Sequence, residues 1–156
     1  MIRNATASDA AALWAVRMAA IQALATNHYS AEQLSAWCAA RTVASYVQPI
    51  REKVVLVAAL QSVVVGYAQL DAQLCEVQAL YVHPTYGGKG IGTTLLHALE
   101  ERAQSLGIVE LQLEASLNAA GFYVKAGYRP CMLDPAQASP QPASESVTLA
   151  RIWAVA

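Results

Sequence analysis

The sequence predicts an α/β domain, and three observations carry that expectation. Residues 54–60 and 63–70 are β-branched runs, residues 90–106 carry apolar side chains at helical spacing, and the period changes across the glycine-crowded "YVHPTYGGKGIG". With 156 residues, 56% of them apolar and 13% charged, the chain suffices for one core, expected as a single domain over 1–156. A formal charge of −1 gives no bulk attraction to nucleic acid or to an anionic membrane. Cys38, Cys75 and Cys131 are odd in number, far apart and without C-x-x-C spacing, which suggests reduced thiols in a cytoplasmic protein and no metal site. The apolar-rich stretch 10–25 contains Ala23-Leu24-Ala25, which imitates a leader cleavage site. Asp9, Arg17 and Gln22 interrupt the run, and a weak cationic start also argues against a secretory leader. No run reaches the ~18 apolar residues of a membrane span.

The elements follow in order. A short strand over 2–5 precedes a helix capped by Ser8 or Asp9, with Leu13, Val16, Ala20, Ile21 and Leu24 on one side. In "HYSAEQLSAW", Ser30 and Gln33 fit a capping box, and Tyr29 is placed to staple onto Leu34. The second helix then runs to about Ala40, with Leu34, Trp37 and Cys38 inward. The runs 54–60 and 63–70, separated by Gln61-Ser62, read as a hairpin. Residues 75–82 alternate as a strand, with Glu76, Gln78, Leu80 and Val82 on one face and Cys75, Val77, Ala79 and Tyr81 on the other. The helix over 90–106 buries Ile91, Leu95, Leu96, Leu99, Ala103 and Leu106 and ends at Gly107. A strand over 108–115, a short helix over 118–126 and a strand over 128–133 come next. A proline-containing loop over 134–146 leads to a closing strand over 147–155.

A strand, a glycine turn and a helix start together suit an anion. The first amides of a helix lack internal partners, point along the positive end of its dipole and can donate to phosphate oxygens. Lys89 adds charge. A plain helix-entry turn would have little use for four glycines in six residues, given their entropic cost. A Walker A loop is excluded because Gly90 follows Gly88-Lys89, and the dinucleotide pattern fails at Thr93 or Leu95.

The segment Gly87-Gly88-Lys89-Gly90-Ile91-Gly92, led in by "LYVHP", resembles motif A of the GNAT superfamily of N-acetyltransferases. "LNAAGFYVKAGYRP", residues 117–130, resembles the motif B helix of the same family. The resemblance implies a mixed, mostly antiparallel twisted sheet of about six to seven strands flanked by helices. It implies acetyl-CoA as cosubstrate, CoA as product, and an N-acetyltransferase moving an acetyl group to a primary amine in a ternary complex. Gly87 departs from the family's usual Gln or Arg and removes a side chain near the phosphates. A non-catalytic acyl-CoA-binding regulator on the same fold is the alternative that this departure suggests.

By the same resemblance, the cofactor is held by Gly87, Gly88, Lys89, Gly90, Ile91, Gly92 and Thr93, and by strand-like pairing to Val82. The Leu80 amide polarises the carbonyl, and Tyr123 protonates the departing thiolate. Glu76 falls where some members carry a catalytic glutamate, which would take the amine proton directly or through a water. It could equally be a solvated strand-end residue. Asn118 either contacts the pantetheine or caps the helix it begins. Cys75, opposite Glu76, argues against a covalent acetyl-enzyme. The acceptor wall is expected from His28, Tyr29 and Trp37, from Gln78, and from the 134–146 loop; stapling alone would also explain Tyr29. The acceptor is a small-molecule or peptide amine, with no polycation favoured, and the closing strand "VTLARIWAV" offers an edge for a homodimer.

Overall fold

The computed structural model describes residues 1–24, 29–131 and 146–153. The chain forms β1 (Ile2–Asn4), α1 (Ala10–Gln22), α2 (Ala31–Ala39), α3 (Val47–Glu52), β2 (Val54–Leu60), β3 (Val63–Asp71) and β4 (Glu76–Val82). It continues with α4 (Ile91–Ser105), β5 (Glu110–Ser116), α5 (Ala120–Lys125), β6 (Arg129–Pro130) and β7 (Ser146–Ile152). The strands form one seven-stranded sheet in the order β1-β2-β3-β4-β5-β7-β6. Every neighbouring pair is antiparallel except β4 and β5. That pair is parallel because α4 carries the chain from the end of one strand to the start of the next. None of the described helices is long and apolar enough to cross a membrane.

Each sheet face has its own core. Leu95, Leu96, Leu99 and Ala103 of α4 pack with Ala68, Leu70, Val77, Leu111 and Leu113 on one face. Leu13 and Val16 of α1, with Tyr46, pack with Val55, Val57 and Tyr67 on the other. The capping box of α2 forms as expected. The Ser30 hydroxyl accepts from the Gln33 backbone amide at 3.1 Å and the Gln33 side-chain Oε1 from the Ser30 backbone amide at 2.7 Å. Tyr29, Leu34 and Trp37 then cluster with Ile21 of α1.

Several expectations are corrected. Leu106, expected in the α4 stripe, is exposed, because it is the C-cap residue. Glu100, not expected in the stripe, is also buried on that helix, and its carboxylate accepts from the Tyr128 hydroxyl at 2.9 Å and pairs with Arg151 at 3.2 Å. The closing strand is not the sheet's edge, since β6 pairs along its outer side at Leu149 and Ala150. The helix α3 and the 3₁₀ turn Val43–Tyr46 before it were not anticipated, and neither shows an apolar stripe of useful length. His28 and most of the 134–146 loop lie outside the described residues.

Asp9 stands at the start of α1, but its carboxylate does not cap that helix. It takes two bonds from the Arg3 guanidinium, at 2.8 and 3.0 Å, and one from the Thr6 amide at 2.7 Å. These contacts, Arg3 foremost, lower its pKa from an ordinary 3.8 to about 2. The resulting stability is present above the unfolded value near 4 and is lost as pH falls through about 2. The shift alone corresponds to about 2 kcal/mol. Arg3 keeps 36% of its side chain in solvent, so about 1 kcal/mol is expected. Acid titration of Asp9→Asn should therefore show lower stability at neutral pH and a shallower loss between pH 4 and 2.

The site depends on an irregularity in β4. Gln69 pairs with Ala79 but Leu70 pairs with Val77, so Gln78 is an extra residue. The expected alternation holds only up to it. Beyond the bulge, Leu80 and Val82 join Val77 on the α4 side, and Ala79 and Tyr81 turn to the α1 side. The strand also parts from β5, to which it is registered only at Glu76 and Gln112. The far half of β4 thus has an open edge inside the sheet.

Candidate active site

Two clefts meet along that open edge. One, of about 450 Å³, runs from Leu80 and Val82 past Phe122 and Tyr123 to the glycine loop. The other, of about 200 Å³, lies between the helix wall of Ala20, Leu24 and Trp37 and the end of β5 at Glu114 and Ser116. Leu80, Val82, Ala119 and Tyr123 line both. The His83 amide donates to the Val65 carbonyl at 2.8 Å. Because backbone groups alternate along an antiparallel strand, the amides of Leu80 and Val82 point the other way, into the gap.

The glycine loop is built for open amides. Gly88 and Gly90 have φ of +74° and +80°, which a side chain would strain, and Gly90 is the N-cap of α4. From Gly88 to Thr93, no amide has a backbone partner among the described residues. The Gly87 amide differs, since it already donates to Pro84 at 3.1 Å, so the expectation that it serves an anion is not met in this conformation. Gly87 has an ordinary extended backbone, φ −65° and ψ 154°, so its own geometry does not demand glycine. The Lys89 ammonium lies 5.6 Å from the centre of the ring of Tyr86, which lines the larger cleft.

Tyr123 is 7% exposed, its ring edge-on to Phe122 and Tyr128. Burial, helped by Tyr81, pushes its phenol well above the ordinary range and keeps the proton on it. Asn118 is exposed at the rim of the smaller cleft. It does not cap α5, whose N-cap is Ala119 with no side-chain bond.

Glu76 is not a solvated strand-end residue. It is 4% exposed, and its Oε2 has no hydrogen-bond partner. Burial raises its pKa, Asp71 and Glu114 raise it further, and Gln78 and Lys53 pull it back. Gln78, which lines the smaller cleft, accepts from Lys53 and from Gln69, both at 2.8 Å. Glu76 itself is not among the residues that line either cleft. Tyr29 is buried, with its hydroxyl accepting from the Leu117 amide at 3.2 Å, and Trp37 lines the cleft. Tyr29 therefore ties the α2 entry to the end of β5 and does not itself line the cleft.

Two charged groups near the clefts are not evident from the sequence pattern. Glu114 lines the smaller cleft and accepts from the Ser146 hydroxyl. Arg17 is buried between α1 and α2 against Tyr81. The signal for Arg17 was its spacing, four residues from both Leu13 and Ile21 on the apolar stripe.

Comparison with known proteins agrees with this arrangement. The profile of the acetyltransferase (GNAT) domain matches residues 25–139. A GCN5-related N-acetyltransferase from Rhodopseudomonas palustris is 34% identical, with a TM-score of 0.85 over 97% of this chain and 94% of that one. The PaiA N-acetyltransferase from Thermoplasma acidophilum, solved with coenzyme A, shares the fold at 22% identity and a TM-score of 0.83, over 98% of each chain. The uncharacterized N-acetyltransferase YafP of Escherichia coli (strain K12) is 28% identical over 82% of this chain and 80% of its own. A glycine cradle, an open strand edge and a matching profile over most of the chain converge: the protein belongs to the GNAT superfamily and is an acyltransferase that uses acetyl-CoA.

Proposed function

We propose that the protein acetylates a primary amine by direct transfer, with donor and acceptor bound together in the two clefts. The observation that carries this reading is the open edge of β4, shared by both clefts at Leu80, Val82 and Tyr123. The residues fit the donor. Six amides, Gly88 to Thr93, and the nearby Lys89 suit its phosphates, and the apolar trough along Val82 and Phe122 suits its arm.

The bound thioester supplies the acyl carbon and a thiolate leaving group. This chain's residues supply the rest. The Leu80 amide points into the gap and donates to the acyl oxygen as negative charge develops there. Glu76, through a water, takes the proton that the amine must shed; its raised pKa makes it a better base than an ordinary carboxylate. Tyr123, held protonated, donates to the sulfur as the C–S bond breaks and the C–N bond forms. Holding both reactants at one strand edge removes the entropic cost of bringing them together. Cys75 is turned towards the α4 core and is no candidate for a covalent acetyl carrier. The free, separated cysteines favour a reducing, cytoplasmic setting.

The test is thiol release from acetyl-CoA in the presence of amines, with both concentrations varied. Direct transfer gives intersecting reciprocal plots. Parallel plots would point to a covalent acetyl-enzyme and overturn the ternary-complex reading.

A further inference from the structure

A lysine that lines neither cleft holds a residue that does. Lys53 is the C-cap residue of α3, where its backbone amide donates to the Pro49 carbonyl at 2.8 Å, and it leads directly into β2. Its ammonium donates to Gln78 Oε1 at 2.8 Å and pairs with Asp71 of β3 at 3.3 Å. Gln69 of β3 donates to the same Gln78 oxygen from its Nε2, also at 2.8 Å.

These two bonds decide which way round the Gln78 amide sits. An ammonium has hydrogens to give and no lone pair to offer, so the end of the amide that meets Lys53 has to be the oxygen. Lys53 and Gln69 then occupy both lone pairs of that oxygen. The nitrogen is left to make the remaining contact, and the Gln78 side chain hydrogen-bonds the Glu76 carboxyl. Gln78 is also the extra residue of the β4 bulge and lines the smaller cleft, whereas Glu76 lines neither. Gln78 therefore connects Glu76 to the cleft.

The charges around Glu76 make that orientation matter. Burial favours its protonated form, as do Asp71 from β3 and Glu114 from β5, while Gln78 and Lys53 favour the ionised form. A reversed amide would turn its oxygen towards a buried carboxyl group whose Oε2 already has no hydrogen-bond partner. We propose that Lys53 is a positioning residue of this site: by locking the Gln78 amide with its nitrogen towards Glu76, it keeps Glu76 able to take a proton from the acceptor amine. This rests on the assignment of Glu76 as the base and adds the group that maintains it.

The experiment titrates the Glu76 carboxyl by carbon-13 NMR in glutamate-labelled protein, with Glu76→Gln identifying the resonance. It also follows thiol release from acetyl-CoA against pH with a panel of small primary amines. Lys53→Met should move the Glu76 midpoint to higher pH, and the acid limb of activity with it. At neutral pH its kcat should fall about 10-fold, part of the ~10²–10⁴ that a positioned base contributes, with the KM for acetyl-CoA unchanged. Lys53→Arg keeps the charge and the donors and should restore most of both. Asp71→Asn should move the midpoint the opposite way, to lower pH, because it removes a like charge. A purely structural Lys53–Asp71 ion pair would give the same effect in both variants and would overturn the inference. In the unaltered protein the Gln78 side-chain amide protons should follow the Glu76 midpoint; protons indifferent to it would overturn the inference even if Lys53→Met does not fold. A midpoint or acid limb unmoved in Lys53→Met would overturn it and leave Glu76 standing as the base. An acid limb that survives in Glu76→Gln would overturn both.

Discussion

Glu76→Gln is expected to lower kcat/KM for amine acetylation by about 10²–10⁴-fold while leaving CoA binding intact. The substitution keeps the shape and removes only the ability to take a proton. The pH profile provides the sharper readout. Glu76 acts unprotonated, and burial raises its pKa, so the acid limb of wild-type activity should lie above the ordinary carboxylate range of about 4.3. Activity is lost as pH falls through this raised pKa, and the limb should vanish in Glu76→Gln. Glu114→Gln is the informative comparison. If it abolishes the limb and Glu76→Gln does not, Glu114 is the base.

Gly66→Val is expected to have the largest effect on stability. A Cβ at this position would sit 2.9 Å from the Tyr81 carbonyl oxygen and 3.0 Å from Leu95 Cδ1. The first is backbone of the central strand and the second is fixed in the α4 core, so neither yields easily. Overpacking typically costs about 1–3 kcal/mol, and the upper end is expected here. Denaturant unfolding measures it. The same clash pushes on the Leu80–Val82 edge and on α4, so affinity for acetyl-CoA should fall even where the variant remains folded. Gly121→Ala is the control, because nothing lies within 4 Å of its added Cβ.

What the sequence made legible was local. The Ser30–Gln33 capping box, the 54–60 and 63–70 hairpin and the α4 stripe each declare themselves within a few residues. The glycine loop was equally legible, because positive φ at Gly88 and Gly90 leaves a mark in the residue types themselves. What escaped depends on partners distant in sequence. The extra residue at Gln78 exists only in register with Gln69 and Leu70, and it moved Leu80 off the face assigned to Glu76. The strand expected over 128–133 contains the two-residue β6, but its place on the outer side of β7 was not legible, because that depends on pairing at Leu149 and Ala150. Arg17 read as an interruption of an apolar run, yet Tyr81 and the Trp37 carbonyl, from two other elements, hold it in the interior.

Thermal unfolding with acetyl-CoA, CoA, ATP and NAD shows whether the glycine loop and the β4 edge hold acetyl-CoA. Acetyl-CoA and CoA, at ~100 times their dissociation constants, should add about 2.7 kcal/mol of stability, and ATP and NAD none. Equal stabilisation by ATP or NAD, or none by acetyl-CoA, would contradict that binding site.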